Sequence, residues 1–188
     1  MLLGVVSDVH CNVDALDRAI AAMGDIDELL VAGDLVYEYR FSNEVVDTVR
    51  RVGARCIKGN HDMVLLSHHG ERARAAAGVR PELVEHLDGL PERVEASFGS
   101  TRLLMVHGSP WPPFGDYLGP WSPALRRADE LDVEILVLGH THVPMVERIG
   151  HTLVVNPGSV SEPRQADRVR TCAVIDTDAL SARVVAVP

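Results

Sequence analysis

Aromatic side chains make up only 4% of the 188 residues, so Val, Leu, Ile and Ala must fill any core. That filling suits strands buried on both faces and points to an α/β architecture. No run of about 18 or more apolar residues is present, which excludes a spanning helix and makes a membrane an unexpected partner. The Met1 to Gly4 start runs straight into an apolar strand, without the basic flank and cleavable segment of a leader, so a cytoplasmic location is expected. Cysteine occurs three times, as Cys11, Cys56 and Cys172, an odd number without zinc-knuckle spacing. Free thiols in a reducing compartment are expected. Cys56 and Cys172 lie in apolar runs and read as inert core, whereas Cys11 directly follows His10. Basic residues are also too few: 18 against 27 acidic ones gives a formal net charge of -9. Such a surface repels polyanions, so long nucleic acid is not an expected partner.

The apolar share is 46%, ample for a single domain spanning residues 1–188. Met1 to Val6 is an apolar run halted by Ser7-Asp8, and Asn12 then caps a helix carrying Val13, Leu16, Ile20 and Met23 at helical spacing. The unit repeats twice. Leu29 to Ala32 ends at Gly33-Asp34 before a helix capped near Ser42, and Ala54 to Ile57 ends at Gly59-Asn60 before another helical stretch. Successive βα units predict parallel strands with right-handed crossovers. Residues 71–90 read as helical, with Pro81 in a first turn. Beyond them, Val94 to Phe98 and Leu103 to Val106 flank a Gly99-Ser100 hairpin, and short strands follow at Ile135 to Leu138, Val143 to Ile149, Thr152 to Val155, Cys172 to Ile175 and Arg183 to Val187. A βα-rich first half and a strand-rich second half predict two packed sheets with helices outside. The longest loop, Gly108 to Ser122, holds both tryptophans and four prolines, which suits a stiff wall beside a site as well as plain packing over a sheet end.

Polar residues gather where apolar runs stop: Asp8 and His10, Asp34, Asn60 and His61, His107, then His140 and His142. In open α/β sheets that edge binds ligands. One histidine at a strand end is most often a hydrogen-bonded surface or core residue; five at once are not well explained that way. Two carboxylates, an amide oxygen and several imidazoles suit first-row transition metals better than magnesium or calcium. The donors exceed the needs of one ion, and two ions about 3.5–4 Å apart would use them if a carboxylate bridged. Such a pair activates water and clamps a phosphoryl group. His61, surplus to the ligand count, is the candidate proton donor to the leaving oxygen. His68, His69, His86 and His151 do not share the strand-end pattern and carry no assigned role.

Asp8-Val9-His10, Gly33-Asp34, Gly59-Asn60-His61-Asp62, His107-Gly108 and Gly139-His140-Thr141-His142 together resemble the five ordered blocks of the calcineurin-like metallophosphoesterases. Asn43-Glu44-Val45, His107-Gly108-Ser109-Pro110, and Asn156-Pro157-Gly158-Ser159-Val160 followed by Pro163-Arg164 are similar to the small bacterial and archaeal phosphodiesterase branch. The resemblance implies a four-layer αββα sandwich of two mixed β-sheets flanked by helices. It implies that Asp8, His10 and His142 bind one metal, that Asn60, His107 and His140 bind a second, and that Asp34 bridges them. It also implies that His61 donates a proton or contacts phosphate, that manganese, nickel, zinc or iron supports activity, with manganese the first choice, and that dimers or tetramers form. Asn12, foremost a helix cap, and Arg164 are candidate substrate contacts.

Two departures stand out. The segment Leu35-Val36-Tyr37-Glu38-Tyr39 lacks the Asp-Arg-Gly of the Ser/Thr protein phosphatases, so an acidic partner for His61 and a phosphate-gripping arginine are not expected there. Cys11 stands where many relatives have glycine, adding a soft donor beside His10 that could crowd the first metal or sensitise it to oxidation. The expected activity is hydrolysis of small or nucleotide-like phosphodiesters. A phosphomonoesterase or diadenosine polyphosphate hydrolase is the enzymatic alternative, and a non-catalytic scaffold on the same fold the alternative of another kind.

Overall fold

The computed structural model describes all 188 residues, Met1 to Pro188. Three βα units open the chain: β1 (Leu2–Val6) and α1 (Val13–Met23), β2 (Glu28–Val31) and α2 (Asn43–Arg51), β3 (Arg55–Cys56) and α3 (Asn60–Leu66). Asn12 and Ser42 cap the first two helices as expected, each accepting a backbone N–H three residues on. The stretch expected to be helical over 71–90 is instead two short helices, α4 (Glu71–Arg74) and α5 (Pro81–Asp88). Gly78 adopts φ +88° between them, and Arg80 is extended because Pro81 excludes the helical conformation before it. The hairpin of β4 (Arg93–Phe98) and β5 (Thr101–Val106) follows, then β6 (Ile135–Val137), β7 (Pro144–Ile149), β8 (Thr152–Pro157), β9 (Thr171–Asp176) and β10 (Ser181–Ala186).

Two mixed five-stranded sheets form, ordered β10-β9-β1-β2-β3 and β4-β5-β6-β8-β7. Strands β1, β2 and β3 run parallel, as do β5, β6 and β8, while β9 returns antiparallel to β1. Alternation along the strands sorts their side chains into layers. Leu3, Val5 and Leu30 meet Leu103, Met105, Ile135 and Val155 between the sheets. Val6, Val31 and Val174 face outward onto Leu16 of α1, Val46 of α2 and Leu83 of α5. On the far side, Leu104, Leu136 and Val154 pack beneath Leu125 and Ala128, which lie on a 3-10 segment, Pro123–Glu130. The result is the expected sandwich, with a 3-10 segment as the outer layer of the second sheet. Cys56 and Cys172 are buried thiols, as read from sequence. No helix is long and apolar enough to cross a membrane.

Candidate metal centre

The carboxyl ends of β1, β2 and β3 in one sheet and of β5 and β6 in the other deliver all eight candidate residues to one place. Asp8, His10, Asp34, His107, His140 and His142 are buried, and Asn60 and His61 are half-buried beside them. Ligand atoms of Asp8, His10 and His142 lie within 4.8 Å of one another, as do those of Asp34, His107 and His140. His107 Nε2 is 3.1 Å from Asn60 Oδ1 and 3.1 Å from Asp34 Oδ2, which places Asn60 with the second group. Asp34 also belongs to a third grouping, with His10 and His61, and so stands between the two sets.

Backbone carbonyls decide which nitrogen of His107, His140 and His142 faces the centre. Ala32 O accepts from Nδ1 of His107 at 2.7 Å, and Glu162 O accepts from Nδ1 of His142 at 2.6 Å, so in both rings Nε2 is the atom turned to the centre. His140 is reversed: Gly115 O accepts from its Nε2 at 3.1 Å, leaving Nδ1 as the donor atom. Such contacts fix tautomer and ring orientation at metal sites. Asp8 is held through Oδ2 by the His140 N–H at 3.2 Å, while its buried Oδ1 has no aligned hydrogen-bond donor. Three imidazole nitrogens surround that oxygen, His142 Nε2 at 3.2 Å and His10 and His107 Nε2 at 4.0 Å. An orphaned buried carboxylate oxygen ringed by neutral-capable nitrogens is what a cation would satisfy. The residues present therefore fit a divalent metal ion.

The backbone is strained here. Asp8, His10, Cys11, Asp34, His140 and His142 all take φ between 47° and 67°, a left-handed conformation costing a non-glycine residue about 1–2 kcal/mol. Six of the eight such residues in the chain fall at this one centre, a concentration associated with function. Close approach also demands glycine: a Cβ on Gly59 would sit 2.1 Å from Asp34 Oδ1, and one on Gly33 2.8 Å from His107 Nδ1.

Electrostatics divides the titrating groups. Burial works against the Asp8 carboxylate, but His142 and His107 outweigh it and hold the group at about 2. Burial likewise opposes charge on His107, yet Asp34 and Asp8 raise it to about 9. His140 is pushed down to about 4 by burial and the neighbouring His107 charge. Burial also lowers His10, whereas Asp8 raises His142 in spite of burial.

Several contributors were not singled out from sequence. The Glu38 carboxylate stands 2.8 Å from Nδ1 of His61, off the line of a good hydrogen bond. The segment expected to lack an acidic partner for His61 thus supplies one. Arg40, two residues further on, lies over the Tyr37 ring at 4.9 Å and donates to His10 O at 3.3 Å. Buried Asp62 accepts from Gly59, Val36 and Leu35 N–H groups at 2.9, 3.0 and 3.3 Å, tying the β2 loop to the start of α3. Burial and the Asp34 charge push Asp62 up to about 7 against those three bonds. Asn156 Nδ2 donates to Gly139 O at 2.7 Å and Ser159 Oγ donates to Asp8 O at 2.8 Å, so the end of β8 and the turn after it brace the loops that follow β6 and β1. Only clustering in the fold reveals these roles, although Asn156 and Ser159 belong to a motif visible in the sequence.

The remaining expectations fall as follows. The 108–122 loop is a wall: besides the Gly115 contact, Tyr117 stacks on His140 at 3.8 Å and Leu118 is buried. Asn12 uses its Oδ1 in the helix cap, at 3.1 Å from Ala15 N, and its Nδ2 on Ser161 Oγ at 3.3 Å, and it lines a cleft with His10 and Tyr37. Arg164 is exposed, lining a groove with Arg168 and Arg170, and its backbone N–H donates to His142 O at 3.1 Å. Cys11 donates to Arg40 O at 3.2 Å, and burial raises its thiol, so it is held as the neutral, less reactive form. His151 pairs with Asp129 at 3.0 Å in the β7–β8 turn and takes no part in the centre.

A family model for the calcineurin-like phosphoesterase superfamily domain matches residues 1–180. The chain belongs to that superfamily and is by family a hydrolase of phosphate esters. It is 27% identical over 174 residues to phosphodiesterase YfcE of Escherichia coli, covering 82% of this chain and 90% of that protein. Among solved structures, a metallophosphoesterase from Sphaerobacter thermophilus superposes with a TM-score of 0.81 at 26% identity, covering 100% of this chain and 88% of the other. The hypothetical protein PH1004 from Pyrococcus horikoshii OT3 has the same fold, with a TM-score of 0.81 at 21% identity over 99% of this chain and 87% of that one.

Proposed function

We propose that this protein is a metal-dependent phosphodiesterase that hydrolyses small or nucleotide-like phosphodiesters at a centre of two divalent transition-metal ions. The observation that carries the reading is the convergence of two buried carboxylates, one amide and four imidazoles in two ligand groups that meet at Asp34. When bound there, the ion pair lowers the pKa of a shared water and neutralises phosphoryl oxygens. The chain's own residues do the rest. Gly115, Ala32 and Glu162 carbonyls hold the imidazoles in register. His61, whose Nε2 is 3.9 Å from Asp34 Oδ2, is half-buried and placed to hand a proton to the departing oxygen, with Glu38 behind its other nitrogen. Manganese is the first choice of ion, with nickel, zinc and iron as alternatives, since mixed nitrogen and oxygen donors favour this set.

The diester preference draws on the likeness to a named phosphodiesterase. It is tested by comparing bis-(p-nitrophenyl) phosphate with p-nitrophenyl phosphate, each with manganese and with a chelator. Turnover of the diester that the chelator abolishes is expected; activity confined to the monoester would favour the phosphomonoesterase alternative. A scaffold has no use for two buried carboxylates and a strained ligand backbone, each of which costs stability. We propose in addition that the protein works in the cytoplasm, as a dimer or tetramer; the assembly is measurable by sedimentation.

A further inference from the structure

A cavity of about 270 Å³ opens beside Asn60, His107 and His140. Met63, Val106, Pro110 and Phe114 give it apolar walls, and Lys58, Glu92 and Arg93 add polar groups. Met63 and Phe114 are 42% and 63% exposed, in a protein whose other large apolar side chains are mostly interior. The Phe114 backbone is nonetheless fixed, because its carbonyl accepts the Ser109 N–H at 2.8 Å and crowds Gly108, where a Cβ would lie 2.5 Å away. Lys58 spends one N–H on Asp88 O at 2.8 Å and keeps two donors. A pocket with apolar walls and a few polar groups selects a ligand of matching character. A nucleobase has apolar faces and a hydrogen-bonding edge; a sugar lacks the first and an alkyl chain the second.

The cavity borders Asn60, His107 and His140, whereas His61 groups with His10 and Asp34. His61 is absent from the cavity lining and packs edge-on against His10, with ring centroids 4.7 Å apart, near Tyr37 and Glu38. Resting on the diesterase reading above, we propose that this cavity binds the base of a nucleoside that stays esterified to phosphorus throughout the reaction. The water oxygen joins phosphorus and a water proton is released. The P–O bond facing His61 breaks, its oxygen takes the His61 proton, and the nucleoside P–O bond survives. The product is a nucleoside monophosphate and the smaller alcohol departs on the His61 side.

Two p-nitrophenyl diesters with the same leaving group test this: thymidine 5′-(p-nitrophenyl phosphate) and methyl p-nitrophenyl phosphate. With manganese, KM for the thymidine ester is expected to be lower by about ten-fold or more, the range for one well-filled apolar contact. The double variant Met63→Ser/Phe114→Ser should bring the two KM values together, with the KM of the thymidine ester rising far more than that of the methyl ester. Both side chains are exposed, so melting should match wild type; if the double variant melts early, each single variant should show part of the same convergence. Equal KM values in the wild type, or a preference that survives in the variants, would overturn the proposal. Calorimetric titration of manganese-loaded protein with thymidine 5′-monophosphate and with methyl phosphate gives a second readout. Binding about ten-fold tighter for the nucleotide, lost in the variants, supports the cavity, and equal binding in the wild type overturns it. Failure to hydrolyse any diester would sink the diesterase reading, and the calorimetric comparison would still decide the cavity.

Discussion

Glu38, 2.8 Å from Nδ1 of His61, shapes what substitution at single residues should reveal. His61→Ala is expected to keep both metals, by elemental analysis, while turnover falls about 10²–10⁴-fold, as for loss of a general acid. Asp34→Asn removes the charge between the two ligand groups, so its metal content should drop; equal metal loss in both variants would show the roles to be wrongly divided. Glu38→Gln should lower kcat by about 10-fold to 100-fold with metal retained, the scale of a group that orients a working histidine. That Asp8, His10, Asp34, Asn60, His61, His107, His140 and His142 gather in one place was legible in the sequence because each ends an apolar run, and a strand's end is fixed by its own composition. Glu38 was not. Its position depends on the loop after β2, which is aimed by two backbone N–H bonds to Asp62, 26 and 27 residues away along the chain.

Elements were readable to the degree that local chemistry decides them. Asn12 illustrates this: a cap can be read from one side chain, and Asn12→Ala should cost about 1 kcal/mol in denaturant unfolding. Metal content should be unchanged in that variant, since Asn12 Oδ1 serves Ala15 N rather than an ion. The 71–90 stretch misled because its alanines favour a helix individually, while Gly78 at φ +88° and the extended residue before Pro81 divide it. The 3-10 segment over Pro123–Glu130 gave no apolar period long enough to read, although Leu125 and Ala128 are buried. The 108–122 loop had two open readings; the Gly115 bond and Tyr117 stacking on His140 make it a wall.

At the scale of the whole molecule, buried charge couples folding to pH. In the metal-free protein burial disfavours charge on His107, yet Asp34 and Asp8 raise it to about 9. A raised folded value stabilises fully below the ordinary histidine pKa of about 6.5 and ceases to do so as pH climbs through the folded value. The melting temperature of chelator-treated protein is therefore expected to fall between about pH 6.5 and pH 9, and saturating manganese, which replaces that proton, should flatten the decline. A melting temperature in chelator that is level over this window would count against the assignment. Two sheets were legible from the order of elements, but not the membership of β9 and β10. Pairing of Leu2 with Asp176 joins residues 174 positions apart, and nothing local in either strand specifies its neighbour.

That pairing gives β1 a protected flank. Strand β1, which leads directly into Asp8 and His10, is interior to its sheet only because β9 and β10 lie beyond it. A chain cut after residue 158 would retain every candidate metal ligand yet bare the hydrogen-bonding edge of an apolar strand, a template for self-association. Shortened forms of this protein should accumulate as aggregates rather than as small active hydrolases.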